Sequence, residues 1–199
     1  RPPDPGGLLK RMGAPLHTGR DLEGKTVAVN ALRDVQWMLI EAWIAATGGD
    51  PAKVQVVEVA IPSMVEAIKA GRVASALVID PYMTVALDDP EIELLDWPTS
   101  KVFGGGPIAF FAVTGDYANK HTAEVRAFFR AYKRGAQWVN ANEGKAPYVE
   151  LVAGYTGMNA DLVRRMHPVP AASDIIPSTL PKLIALMRQT GLLDKDNAE

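Results

Sequence analysis

The run Thr26-Val27-Ala28-Val29-Asn30-Ala31-Leu32-Arg33-Asp34 decides the fold. Three of its first four residues are β-branched, which suits a short strand, and the polar turn that follows opens a periodic segment. Over residues 30–47 the apolar side chains Val35, Met38, Leu39, Ala42, Trp43 and Ala46 recur three and four apart, the spacing of one helix face, and Gly48-Gly49 ends the run. Asp50-Pro51 turns the chain into an apolar strand at 54–59. Strand, helix and strand in this order predict a βαβ unit and a sheet that is at least partly parallel.

The alternation continues outward. Residues 62–70 predict a helix with Met64, Val65 and Ile68 on one face and Gly71 at its end; 73–79 read as a buried strand, 80–87 as a short helix and 92–95 as a strand. Beyond the glycines at 104–106, residues 108–113 predict one more strand. Helices follow at 123–140, 145–153, 160–166 and 180–189, with Thr122 and Asn159 as N-caps and an extended Pro-containing stretch at 168–177. The helix at 123–140 carries the apolar stripe Val125, Phe128, Phe129, Tyr132, Ala136 and Val139. Residues 1–20, with Pro2, Pro3, Pro5, Gly6, Gly7, Gly13 and Pro15, read as an irregular lead-in in which only Leu8-Leu9 is worth burying. The expected organisation is this lead-in, an α/β lobe at 21–103, and a crossover strand with C-terminal helices at 104–199.

Composition narrows the function. The 199 residues are 48% hydrophobic and 22% charged with a net charge of −2, enough apolar material for a core and no basic footprint for nucleic acid or an anionic membrane. No apolar run approaches the roughly 18 residues of a membrane span. The absence of Cys excludes disulfides, zinc-thiolate sites and thiol nucleophiles, and leaves the compartment open. The chain opens on Arg1 without a charged-then-apolar leader, which reads as a processed, trimmed or excised sequence.

Catalytic signatures are scarce: there is no Gly-x-Ser-x-Gly elbow, Walker loop or His-Glu-x-x-His. His17, His121 and His167 lie far apart and suit surface or capping roles. Two turns stand out instead, because ligands of parallel sheets collect at the carboxyl ends of strands, where helix N-termini present free N–H groups. In the first, the candidate ligand-binding residues are Asn30, which offers an amide, Ala31 and Leu32, which offer backbone N–H groups near the helix start, Arg33, which offers a planar fork for a carboxylate or sulfonate, and Asp34, an amine acceptor or a plain N-cap. In the second, Asp80 and Pro81 suit a helix start and Tyr82 adds a ring and a hydroxyl. Both turns are expected at the same sheet edge, where a cleft forms.

These segments resemble type II periplasmic solute-binding proteins of ABC importers, in the nitrate, sulfonate and taurine branch that includes thiamin-precursor binders. Residues 21–29 are similar to that family's D-L-x-G-K-x-V-A-V entry to the second lobe. Residues 49–54 are similar to its G-x-D-P-x-x-V turn, residues 67–76 to its A-L-x-x-G-x-V-D-A segment, and residues 125–142 to its V-x-x-F-x-x-A-Y-x-x-G-x-x-W-x-x-x-N helix. Asp80-Pro81-Tyr82 matches an acidic-Pro-aromatic step that often touches ligand in the family. Ser75 and Ala74 stand where the family carries Asp, and only residues 1–20 precede the lobe where members carry a further half-lobe.

The resemblance implies a periplasmic (or lipid-anchored) binding component that captures a small anionic or zwitterionic solute between two lobes and delivers it to a transporter permease. It implies no catalysis, no cofactor and no metal. Hinges are expected near 20–24 and 99–107. The same fold also hosts enzymes of thiamin-pyrimidine or menaquinone synthesis and the effector-sensing half of LysR-type regulators. These stand as the alternatives.

Overall fold

The computed structural model describes residues 4, 6–104, 109–166, 170–172, 174 and 180–193. The strand–helix–strand reading holds: β2 (Thr26–Val29) leads through a turn into α1 (Val35–Ala46), and β3 (Gln55–Glu58) pairs with β2 in parallel, Val27 opposite Val56. α1 starts five residues later than its apolar pattern suggests, because the Asp34 side chain accepts from the Trp37 N–H and sets the helix start there. α2 (Ile61–Lys69), β4 (Ser75–Ile79), α3 (Tyr82–Ala86) and β5 (Ile92–Asp96) follow as expected, β4 running parallel to β2 with Ala28 opposite Ala76.

The lead-in is where the expectation fails. Gly6–Arg11 is a strand, β1, inserted antiparallel between β4 and β5 to give the order β3-β2-β4-β1-β5. Its glycines are what the packing demands. A Cβ on Gly6 would stand 2.6 Å from the Val78 carbonyl oxygen, and one on Gly7 2.6 Å from Leu94 Cδ1. Leu8 and Leu9 point to opposite faces of the sheet. Leu8 joins Val27, Val29, Leu39, Ile40, Trp43 and Leu77 under α1, while Leu9 joins Ala28, Ala76, Val78, Met64, Ile68 and Met83 under α2 and α3. Three layers result, with the sheet buried on both sides.

A second difference follows β5. Residues 98–103, which overlap the hinge expected near 99–107, form α4 (Pro98–Phe103), held by the buried carboxylate of Asp4. Asp4 accepts from the N–H of Thr99 at 3.1 Å and of Ser100 at 2.8 Å. Gly105 to Ile108 lie outside the described residues, and 109–113 join no sheet among the described residues, so the strand expected at 108–113 has no ladder there. The helical remainder is α5 (Gly115–Lys120), α6 (Thr122–Asn142), α7 (Ala146–Thr156), α8 (Ala160–Arg165) and α9 (Leu180–Gln189). Asn159 caps α8 as expected, whereas the Thr122 hydroxyl donates backward to the Ala118 carbonyl and α6 begins after a turn at His121. α9 packs Leu186 against Met38 and Ala42 of α1, and α7 and α8 share a small core of Tyr148, Val149 and Val163. The expected extended stretch at 168–177 and His167 fall mostly outside the described residues.

The end of α1 is closed by two glycines in backbone contact. A Cβ on Gly19 would lie 2.3 Å from the Ile44 carbonyl oxygen, and one on Gly49 2.3 Å from the Gly19 carbonyl carbon. Gly19→Ala is expected to lower unfolding free energy by about 1–3 kcal/mol through overpacking. Gly135→Ala, inside α6 with open space at its Cβ, is expected to raise it by about 0.5–1 kcal/mol. Urea titrations of the two variants check both signs.

Three carboxylates at loops and strand starts set the acid response. Asp21 is held below the usual range by the N–H groups of His17 and Thr18, Asp89 by the Lys69 ammonium, and Glu93 by the Lys10 ammonium. Depressed folded values mean that their contribution is present above the unfolded carboxylate range of about 4 and is lost as pH falls through the folded values. A stability–pH profile is expected to fall below about pH 4, and the fall is shallower in Asp21→Asn.

Candidate functional site

Parallel pairing of β3, β2 and β4 brings three strand ends to one edge of the sheet. The turns 30–34, 59–60 and 80–81 leave from it, and β1, running the other way, enters beside it with Gly6 opposite Ile79. The two turns singled out in the sequence therefore stand side by side, as expected from the strand order.

The structure assigns each side chain a surrounding. Asn30 is exposed, and its N–H donates to the buried Gln36 side chain at 2.8 Å, which ties the turn to the first turn of α1. Ala31 is half-buried. Leu32 is exposed, and its N–H donates to Glu58 Oε2 at 3.3 Å. Arg33 adopts φ 60°, the left-handed region, which costs a residue with a Cβ about 1–2 kcal/mol. Its exposed side chain reaches the turn after α9, where Nη2 donates to the Gly191 carbonyl at 3.1 Å.

Asp34 and Asp80 each commit an oxygen to a helix start. Asp34 Oδ1 accepts from the Trp37 N–H at 2.9 Å, and Asp80 Oδ1 accepts from the Thr84 N–H at 3.0 Å and its hydroxyl at 2.6 Å. Pro81 is half-buried, and Tyr82, the first residue of α3, keeps 42% of its surface exposed. The edge thus presents a guanidinium, a phenol, an amide and the starts of α1, α2 and α3, with dipoles that favour negative charge.

Three contributors escaped the sequence reading. Glu58 ends β3 and reaches the first turn; the same strand-end rule that found Asn30 would have found it. Ser63, exposed in the first turn of α2, follows the same rule. Gly191 sits 158 residues from Arg33 and left no local signal. A further link between the sheet and the C-terminal helices is Arg165 of α8, whose Nη1 reaches both Asp88 oxygens at 2.7 Å. Two grooves lie elsewhere: one of about 390 Å³ at the opposite sheet edge, flanked by Arg11, Lys25 and Arg72, and one of about 410 Å³ between residues 111–113 and α6.

Comparison with known proteins places this geometry. The profile of the NMT1-like family matches residues 10–153. No match is found among curated protein sequences. Among solved structures, the periplasmic aliphatic sulphonate binding protein SsuA from Escherichia coli is 18% identical with a TM-score of 0.74, over 96% of this chain and 62% of that one. The alkanesulfonate-binding protein SsuA from Xanthomonas axonopodis pv. citri, bound to MOPS, is 19% identical with a TM-score of 0.76, over 98% of this chain and 68% of that one. The periplasmic nitrate-binding protein NrtA from Synechocystis PCC 6803 is 17% identical with a TM-score of 0.63, over 80% of this chain and 45% of that one. The chain therefore has the fold of these proteins and spans about two thirds of the length of the sulfonate binders. Among the described residues no helix is long and apolar enough to cross a membrane.

The capping geometry makes its own prediction. Asp34→Ala is expected to cost about 1 kcal/mol of stability by uncapping α1. Leu32→Ala, at an exposed turn position, is expected to stay within about 0.5 kcal/mol of the parent in the same denaturation assay.

Proposed function

Because the chain belongs to the NMT1-like family, we propose that it is the solute-binding component of an ABC-type importer, working outside the cytoplasmic membrane and handing its solute to a permease. The solute is a small anion or zwitterion of the sulfonate, taurine or nitrate kind. One observation supports the reading: the turns at 30–34 and 80–82 leave the carboxyl ends of neighbouring, parallel β2 and β4 and lead into α1 and α3.

The roles follow from the chemistry. The Arg33 fork pairs with the anionic group, which the α1 N-terminus also favours. The Tyr82 ring and hydroxyl lie against the organic part. Asn30, Ala31 and Leu32 shape the turn, and Asp34, Asp80 and Pro81 hold the helix starts in place; the second oxygen of Asp34 suits the amine of a zwitterion. Binding of this kind needs no general acid or base. The periplasmic sulfonate and nitrate binders with the same fold support the reading.

Isothermal titration with taurine, butanesulfonate and nitrate tests it. At least one is expected to bind, with Arg33→Ala weakening the interaction tenfold or more, about 1.4 kcal/mol. Tyr82→Ala is expected to weaken the organic sulfonates more than nitrate, and Lys25→Ala, at the opposite edge, to change nothing. Equal affinity of Arg33→Ala and the parent overturns the anion assignment.

A further inference from the structure

The sheet edge opposite the turns at 30–34 and 80–82 collects positive charge. Lys25 immediately precedes β2, Arg72 lies just before β4, and β1, running the other way, ends there on Arg11. The parallel ladder sets Val27 opposite Ser75, and the Ala74 N–H donates to the Thr26 carbonyl at 2.8 Å. The backbones carrying Lys25 and Arg72 therefore enter the sheet side by side, at the strand spacing of about 4.8 Å. Each of the two follows a glycine of positive φ, Gly24 at 74° and Gly71 at 69°, which turns the chain sharply into its strand. Acidic residues outnumber basic ones in the chain, 23 to 21, yet those near this edge are already engaged. Glu91 is shared between Arg11 at 3.6 Å and Lys69 at 3.3 Å, Glu93 pairs with Lys10 at 3.2 Å, and Glu23 pairs with Lys53 at 3.3 Å. Among the described residues, the side chains of Lys25 and Arg72 have no ion-pair or hydrogen-bond partner. Like charges on neighbouring strands repel, and a bound anion relieves the repulsion.

These cations flank the groove of about 390 Å³, a volume within the range of small-molecule sites, roughly 300–1,000 Å³. Leu16, Ile68 and Val73 give it an apolar lining. Its wall at 14–16 is pinned from inside, because the buried Lys10 ammonium donates to the carbonyls of Ala14 at 2.7 Å and Leu16 at 2.8 Å. A wall held in this way is organised before any ligand arrives. We propose that the groove is a binding site of its own, for a small phosphate monoester. Lys25 and Arg72 hold the doubly charged phosphate, Arg11 adds positive charge at the rim, and the organic group lies on Leu16, Ile68 and Val73. The planar fork of Arg and the point charge of Lys both suit phosphate oxygens. A dicarboxylate spreads its two charges apart, whereas cations on adjacent strands converge on one group. The inference is independent of the solute proposed for the opposite edge, which carries at most one net negative charge and gains less from two cations.

The test is a titration of the nitrogen-15-labelled 199-residue chain with phenyl phosphate, read from amide chemical shifts. It is run at about pH 8, where a phosphate monoester carries two charges. Saturable shifts are expected at residues 24–26 and 71–74. Read at these amides, Lys25→Ala and Arg72→Ala each weaken binding at least about tenfold, and added sodium chloride weakens it in the parent. Either variant serves if the other does not unfold cooperatively in urea. Lys120→Ala, which removes one exposed charge from α5, leaves the affinity unchanged. The proposal is overturned by the absence of saturable shifts, by shifts confined to 30–34 and 80–82, or by parent-like affinity in both Lys25→Ala and Arg72→Ala. Inorganic phosphate binding as tightly as phenyl phosphate also overturns it, in favour of a charged surface without an apolar subsite. Taurine is read separately at 30–34 and 80–82, so its failure to bind there refutes the solute reading and leaves this one standing.

Discussion

β1 lies between two strands that run parallel to each other, and the rest of the sheet depends on its fit. β4 and β5 are joined only through it, each by an antiparallel ladder. Gly6 and Gly7 let its backbone approach Val78 and Leu94, while Leu8 and Leu9 send one fully buried side chain into each face. At its leading end Asp4 reaches the first N–H groups of α4, so the segment that closes the core also fixes where the chain departs from the sheet. Lys10 anchors the other end, donating to the carbonyls of Ala14 and Leu16 and pairing with Glu93 at 3.2 Å. A buried ammonium with this many oxygen partners is satisfied rather than stranded.

With that central strand in place, the direction of β2, β3 and β4 determines where chemistry can occur. Their carboxyl ends share an edge, and each hands over to a helix whose start points outward. The edge is built from caps: Asp34 and Asp80 hold helices, Gln36 and Glu58 hold the first turn, and Asn30, Leu32, Arg33 and Tyr82 remain exposed. Arg33 combines an unfavourable left-handed backbone with a hydrogen bond to the Gly191 carbonyl in the turn after α9. Local strain held by surrounding structure is a feature of binding turns.

The two ends of the molecule differ in how far their apolar surface is resolved. Around the sheet, alternating residues of every central strand are buried on both faces. Along α6 the same amphipathic logic is written in the sequence, and the face remains open. The contrast concerns available partners and not propensity: α1 has a sheet to lie on, whereas among the described residues the N-terminal half of α6 has beside it the segment 109–113, which joins no ladder there.

How much could be read beforehand divides along the same line. Residues 26–96 were legible because their signals are local: β-branched strands, a three-and-four apolar period, and glycine at helix ends where positive φ is needed, as at Gly71. The strand-end rule also located Asn30–Asp34 and Asp80–Tyr82, since a parallel sheet puts such turns on one side whatever the loops contain. β1 was illegible because its ladder partners lie 65 or more residues away and its glycines, read locally, signal a loop; only proximity to Val78 and Leu94 makes them a requirement. The roles of Asp34, Asp80 and Arg33 were likewise left open, because cap, amine acceptor and anion fork are the same side chains at different distances. Sequence alone determined the α/β alternation and which turns share an edge, both consequences of backbone periodicity and strand direction. The antiparallel insertion of β1 and the reach of Arg33 to Gly191 were decided by tertiary structure, because each depends on which distant atoms packing brings within hydrogen-bonding range.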